Sequence, residues 1–275
     1  MFFPSLSIQK TKFSKNLKKI FVGVPTTIKL LPVIAGAIVI GGYALWADSR
    51  DDTITDPFAL GEYYFNAYNI PEGEYDLKLA RQYYTQAIEE GSDNPLVWYQ
   101  LGRIDFLEGN YNAALYKFDK QISLHGDQRP NVYYMKGLTY GYKARKTNDV
   151  EDWLKAEENF LKYLNYEPES PWTRVDLSWV YFSQGKFAEM IPLLEDGLFV
   201  EPYNPWLLNM YGLALMNTGR KDEAREQFLL AREYAGYLET EDWGRTYPGN
   251  DPSAWSQGLE EFKSLIEKNL KLVSE

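Results

Sequence analysis

The chain has 275 residues, 45% hydrophobic and 25% charged, a balance that favours a folded core over disorder. It contains no Cys and one His, which excludes disulfides, thiolate metal sites, cysteine nucleophiles and His-based metal clusters. Residues 1–50 carry seven Lys/Arg and one Asp, whereas residues 51–275 carry 22 Lys/Arg and 38 Asp/Glu. A body that acidic repels phosphate backbones, so nucleic acid is excluded as a partner.

The amino terminus reads as a basic lead, residues 1–29, with six lysines ending at Lys29. It is followed by 18 uncharged residues, Leu30 to Ala47, "LLPVIAGAIVIGGYALWA". That length suits one membrane-spanning helix, and Tyr43 and Trp46 fall where its far interface would be. The lysines place the near side in the cytoplasm. The expectation is therefore a single-pass signal anchor of a bacterial inner or cytoplasmic membrane. Residues 48–54 would form a linker, and the remainder of the chain would be extracytoplasmic. The alternative is secretion after cleavage at Ala47, although the small residue a cleavage site needs stands only at its last position. Ala37 and Gly41 form a small-xxx-small pair that lets two such helices pack. A homo-oligomer is left open on that ground, but the frequency of glycine in spanning helices is the simpler explanation.

Beyond the linker the chain repeats. In "WYQLGRIDFLEGNYNAALYKF", Trp98, Leu101 and Gly102 are followed by Gly109, Tyr111, Ala114 and Phe118. A small residue recurs at Gly61, Gly102, Gly137, Ser178 and Gly212. A second position recurs at Ala80, Ala114, Ala156, Met190 and Ala224, with Met190 the departure. A large residue follows four later, at Tyr84, Phe118, Phe160, Leu194 and Phe228. Prolines open repeats at Pro95, Pro130, Pro171 and Pro205 and close them at Pro168 and Pro202. In two copies, Gly61 to Ala80 and Gly137 to Ala156, the spacing grows by seven residues, about two helical turns. In the third copy this predicts longer helices, with Asn148 or Asp149 capping the second. In the first it predicts a loop around Pro71, Glu72 and Gly73.

This pattern resembles the tetratricopeptide repeat (TPR), W-x2-L-G-x2-Y, then A-x3-F, then P, over residues 55–235. The resemblance implies an all-α solenoid of about five helical hairpins, preceded here by the one transmembrane helix. Small residues would let paired helices approach, and Phe118 and its counterparts would fill the seam. Residues 236–251 read as a loop. Residues 252–275 read as a capping helix entered at Asp251 and Pro252, with Trp255, Leu259, Phe262, Ile266 and Leu270 on one face. A terminal repeat needs such a cover.

The resemblance also implies an inner groove lined by the first helix of each repeat. By phase that face holds Phe58, Phe65, Tyr99, Arg103, Phe106, Tyr134, Tyr142, Trp172, Trp179, Phe182, Trp206 and Met216. Rings in that number suit the capture of a protein or peptide, and packing between repeats is the competing explanation. The expected function is a membrane-anchored scaffold for assembly or maintenance of a cell-envelope complex. The alternative is a carbohydrate or cell-wall-polymer binding module. No cofactor and no enzymatic activity are expected. His125, in "SLHGDQRP", has Ser123 and Asp127 too close in sequence to imply a triad and reads as a surface-turn residue. The acids Glu157, Glu158, Glu167 and Glu169 lack the spacing of a calcium loop, and no phosphate-binding Gly-rich loop occurs. Asp105 remains: it stands where the family pattern has Tyr, while Tyr64, Tyr140 and Tyr181 keep the ring. A carboxylate there needs a partner, expected from a neighbouring repeat.

Overall fold

The computed structural model describes residues 54–65, 74–126, 129–246 and 250–274, and every regular element among them is helical. The basic lead and the apolar segment 30–47 lie outside the described residues. Among those described, no helix is long and apolar enough to cross a membrane.

Ten helices form five hairpins: α1 (Pro57–Phe65) with α2 (Leu77–Glu89), α3 (Leu96–Leu107) with α4 (Tyr111–His125), α5 (Asn131–Thr147) with α6 (Val150–Tyr166), α7 (Pro171–Ser183) with α8 (Phe187–Val200), and α9 (Pro205–Asn217) with α10 (Lys221–Ala235). The starts of α2, α6, α7 and α9 are set by side chains that accept from free backbone N–H groups. Asp76 accepts from Lys78 and Leu79, Ser170 from Thr173, and Asn204 from Trp206 and Leu207. Pro171 and Pro205 follow their caps at the first helical positions, where no N–H is missed. The turns inside the second, fourth and fifth hairpins use the left-handed conformation. Gly109, Gly185 and Gly219 have φ of 75°, 73° and 84° and close the turns after α3, α7 and α9. The next residue's N–H reaches back in each turn, as from Asn110 to the Asp105 carbonyl at 2.8 Å, which satisfies an orphan carbonyl.

The third hairpin carries its extra residues as helix. Both α5 and α6 have 17 residues. Asn148, at φ 56°, ends α5, and Asp149 caps α6 by accepting from the Glu151 N–H at 2.9 Å. In the first hairpin the extra residues fall at 66–73, outside the described residues.

The repeat phase appears directly as packing. A Cβ placed on Gly61 would sit 2.4 Å from the Tyr84 ring; on Gly102, 2.5 Å from Phe118; on Gly137, 2.8 Å from Phe160; on Gly212, 2.4 Å from Phe228. Each glycine is thus the socket for the ring of its own hairpin's second helix. Those four rings are fully buried and form the seam on which the hairpins stack.

The region expected to be a plain loop holds a short helix, α11 (Thr240–Thr246). After it, Asp251 accepts from the N–H and Oγ of Ser253, and a single turn at Pro252–Ala254 leads into α12 (Trp255–Ser274). Helices α11 and α12 lock reciprocally. Gly258 receives the Trp243 ring and Gly244 the Trp255 ring, with a built Cβ at 2.4 and 2.5 Å respectively. Leu259, Phe262, Ile266 and Leu270 of α12 are buried against the last hairpin, as a terminal cover requires.

Candidate protein-interaction face

The first helices of successive repeats, α3, α5, α7 and α9, touch one another in series. Side chains at matching phase on these helices therefore meet across repeat boundaries. The clearest result is a row of rings. Phe106 on α3 lies 5.4 Å from Tyr142 on α5, and Tyr142 lies 5.2 Å from Trp179 on α7. Three repeats contribute one member each. Trp153 of α6 supports the row edge-on at 5.3 Å from Trp179.

Trp179 is only 7% exposed because it fills a notch left by Gly141, whose built Cβ would sit 2.7 Å from the indole. It serves as the row's foundation more than its surface. Phe182, one turn along α7, is 36% exposed and packs edge-on against Phe187 at 5.5 Å. Trp172 is half-buried at the start of the same helix. Met216 is half-buried on α9.

At the other end the face is polar but neutralised. Glu62 accepts from Tyr84 Oη at 2.6 Å and from Gln100 Nε2 at 2.5 Å. Gln100 Oε1 in turn accepts from Arg103 Nη1 at 2.8 Å. Arg103 lies over the Phe65 ring, 4.5 Å from its centroid, and near Tyr99 at 5.8 Å, so ring faces complement its charge. A carboxylate and a guanidinium from adjacent repeats are thereby joined through one amide. Burial raises the pKa of the Tyr99 phenol, with the Arg103 charge pulling the other way.

Not all ten rings among the twelve positions face outward. Phe65 is fully buried, and Phe58 and Tyr99 pack on the seam rings Tyr84 and Phe118. Trp206 is 1% exposed and stacks flat on Phe262 of α12, with centroids 4.3 Å apart and planes 4° apart. The capping helix covers the ring that phase alone assigns to the groove. Beside it Asn269 donates to Asn209 at 2.9 Å, a buried amide pair that registers α12 on α9. Tyr134 turns toward the next repeat and donates to Asp176 at 2.5 Å.

Sequence reasoning missed Glu62, Gln100, Trp153 and Asp176. Gln100 and Asp176 shared a signal, since both lie two residues before the repeat's small residue, where polar groups interrupt an apolar stripe. Asp105 is 2% exposed and doubly paired: Oδ1 with Arg81 of the preceding repeat at 2.9 Å, and Oδ2 with Lys117 of its own hairpin. His125 is the last residue of α4, and its Asp127 neighbour lies outside the described residues.

No protein-family model matches the sequence, and no curated protein matches it. Among solved structures the chain is similar to a thermophilic TPR protein of Thermus thermophilus, with 18% identity, 76% of this chain and 96% of that chain covered, and a TM-score of 0.54. It is also similar to PilW, a widely conserved type IV pilus biogenesis factor (15%, 80% and 97%, TM-score 0.53), and to MamA (19%, 66% and 94%, TM-score 0.52). At such identities the likeness is one of fold. The described chain is a tetratricopeptide-type helical solenoid closed by a C-terminal helix.

Proposed function

We propose that this solenoid is a docking scaffold that holds another protein or a peptide against the face of its first helices, without catalysis. The observation that carries this reading is the ring row Phe106–Tyr142–Trp179, which crosses three repeats, with the exposed Phe182 one turn further along α7. Rigid rings on a stacked scaffold give contact area at low entropic cost, and such residues dominate binding energy. Glu62 and Arg103 are engaged with each other through Gln100, so the face offers chiefly apolar and aromatic surface.

The wider setting in this proposal is a membrane surface. Residues 30–47 would anchor the chain, with the lysine-rich lead in the cytoplasm and the solenoid outside it. An anchor raises the local concentration of the scaffold where its partner assembles. The shared fold with a pilus biogenesis factor is consistent with work on a cell-envelope complex.

The test is cross-linking of the full chain in intact cells, followed by purification from the membrane fraction. Trp172→Ala with Phe182→Ala should reduce the captured protein by about tenfold or more, the scale of a hot-spot loss. The helical circular dichroism should stay unchanged, and the unfolding midpoint should fall only by the lost packing of Trp172 on Trp206 and Phe182 on Phe187, leaving the chain folded at the assay temperature. Undiminished capture would reject the face, and recovery of the chain from the soluble fraction would reject the anchor. Retention on a glycan column with no protein captured would favour the carbohydrate alternative.

A further inference from the structure

Asp176 of α7 is 1% exposed at the boundary between the third and fourth repeats. Its Oδ2 accepts one hydrogen bond, from Tyr134 Oη of α5 at 2.5 Å. Its Oδ1 is buried and has no hydrogen-bond partner among the described residues. No ion pair reaches it there, whereas the buried Asp105 has Arg81 and Lys117, and the buried Asp152 has Lys143.

The groups that could compensate a charge at Asp176 are committed elsewhere. On α7 itself, Arg174 Nη1 donates to the Ser170 carbonyl at 3.2 Å and its stem lies against Gly197 of α8; its buried Nε has no hydrogen-bond partner among the described residues, and the guanidinium makes no ion pair with Asp176. On α5, Lys136 pairs with Asp119, Lys143 with Asp152, and Lys146 lies over the Tyr111 ring, while Tyr134 is the titratable group hydrogen-bonded to Asp176. From α6, Tyr163 packs on the Tyr134 ring at 5.6 Å, and Glu157 is held by Lys186. On α8 the acids Glu189, Glu195 and Asp196 are exposed, and α9 carries one ionisable residue, Tyr211, which donates to Glu195. An ionised carboxylate with one donor and no cation is costly in such a setting, and a neutral acid costs far less.

We infer that Asp176 is a proton-operated joint: protonated, it lets α7 close on α5 through Tyr134, and ionised, it loosens the boundary between the third and fourth repeats. Burial pushes the Asp176 carboxyl up to about 8, with the Tyr134 hydrogen bond pulling it down. The unfolded chain has the ordinary carboxyl, titrating near ~3.9. Between those values the folded state holds a proton that the unfolded state has lost. The contribution of this group is therefore whole below about pH 4, declines as pH rises, and is gone once the pH has passed the folded value.

The experiment is urea unfolding of the full chain from pH 4 to 9, comparing wild type, Asp176→Asn and Tyr134→Phe. The folding equilibrium constant of Asp176→Asn relative to wild type should rise by up to about tenfold per pH unit inside the window and level off above it. Tyr134→Phe removes the group that lowers the carboxyl, so the upper end of its window should move to higher pH. Hydrogen exchange at pH 6 and 9, corrected for intrinsic rates, should show protection falling at α5 and α7 in wild type while α1 and α3 hold theirs. Parallel stability curves for wild type and Asp176→Asn would overturn the inference. So would a Tyr134→Phe window that does not move, or an exchange change spread evenly over all repeats. The last two readouts stand even if Asp176→Asn fails to fold.

Discussion

The second and fourth repeats make the same hairpin from different parts. The second seats Phe118 in the socket of Gly102 and places Ala114 one turn earlier. The fourth has Ser178, Leu194 and Met190 at those positions, all fully buried. A smaller seam side chain at Leu194 leaves room for the Ser178 hydroxyl, which donates back to the Val175 carbonyl at 2.7 Å. Each repeat also buries one acid on its first helix, and the two are treated in opposite ways. Asp105 is compensated by two cations, and Asp176 by a single phenol. Equal burial gives different chemistry because the neighbours differ.

The largest effect should come from stripping the compensation from Asp105. Arg81→Met with Lys117→Met leaves a buried carboxylate unpaired and should cost about 3 kcal/mol, toward the low end for a broken buried pair. The low end applies because Arg81 and Lys117 remain 30% and 19% exposed, so water already shares the pairing. Urea unfolding at pH 7 measures it. A cost under about 1 kcal/mol would mean that water reaches Asp105, and its contrast with Asp176 would disappear.

Much of this arrangement was legible in the sequence because the repeat imposes a phase. Four of five socket-and-ring pairs follow from counting between small and large residues, and the seven-residue extension of the third repeat follows from the same count. That Asp105 needed a partner from a neighbouring repeat was legible, but its identity was not, since Arg81 lies 24 positions upstream on another hairpin. Only stacking brings the two together. Trp206 shows the reverse limit. The capping helix was readable from Leu259, Phe262, Ile266 and Leu270, but the ring that Phe262 would cover was not. Short α11 was hidden because its seven residues are held by Trp243 and Gly244 locking with α12, a tertiary cause with no local period.

The next effect tests the socket itself. Gly102→Ala should raise helix propensity by about 1 kcal/mol, yet lower stability by about 2 kcal/mol. The reversal is expected because the new methyl would stand 2.5 Å from Phe118 Cε1, inside a seam with no room to yield. Thermal unfolding should show a lower midpoint, and Phe118→Leu in the same chain should restore part of it. An unchanged or raised midpoint for Gly102→Ala alone would show that the hairpin spreads at little cost.

The smallest and most discriminating effect lies in the fourth repeat. Leu194→Phe alone should cost about 1–2 kcal/mol, because the larger ring would meet Ser178 in a filled seam. Ser178→Gly alone should cost about 0.5 kcal/mol through lost helix propensity. Together they rebuild the pair that Gly102 and Phe118 make in the second repeat. Their summed cost should therefore shrink, with a coupling of about 1 kcal/mol or more in a double-mutant cycle. Additivity within about 0.5 kcal/mol would show that Met190, standing where the second repeat has Ala114, already blocks the ring's path. The difference between the two repeats would then be a three-residue repacking, which Met190→Ala in the same background should complete.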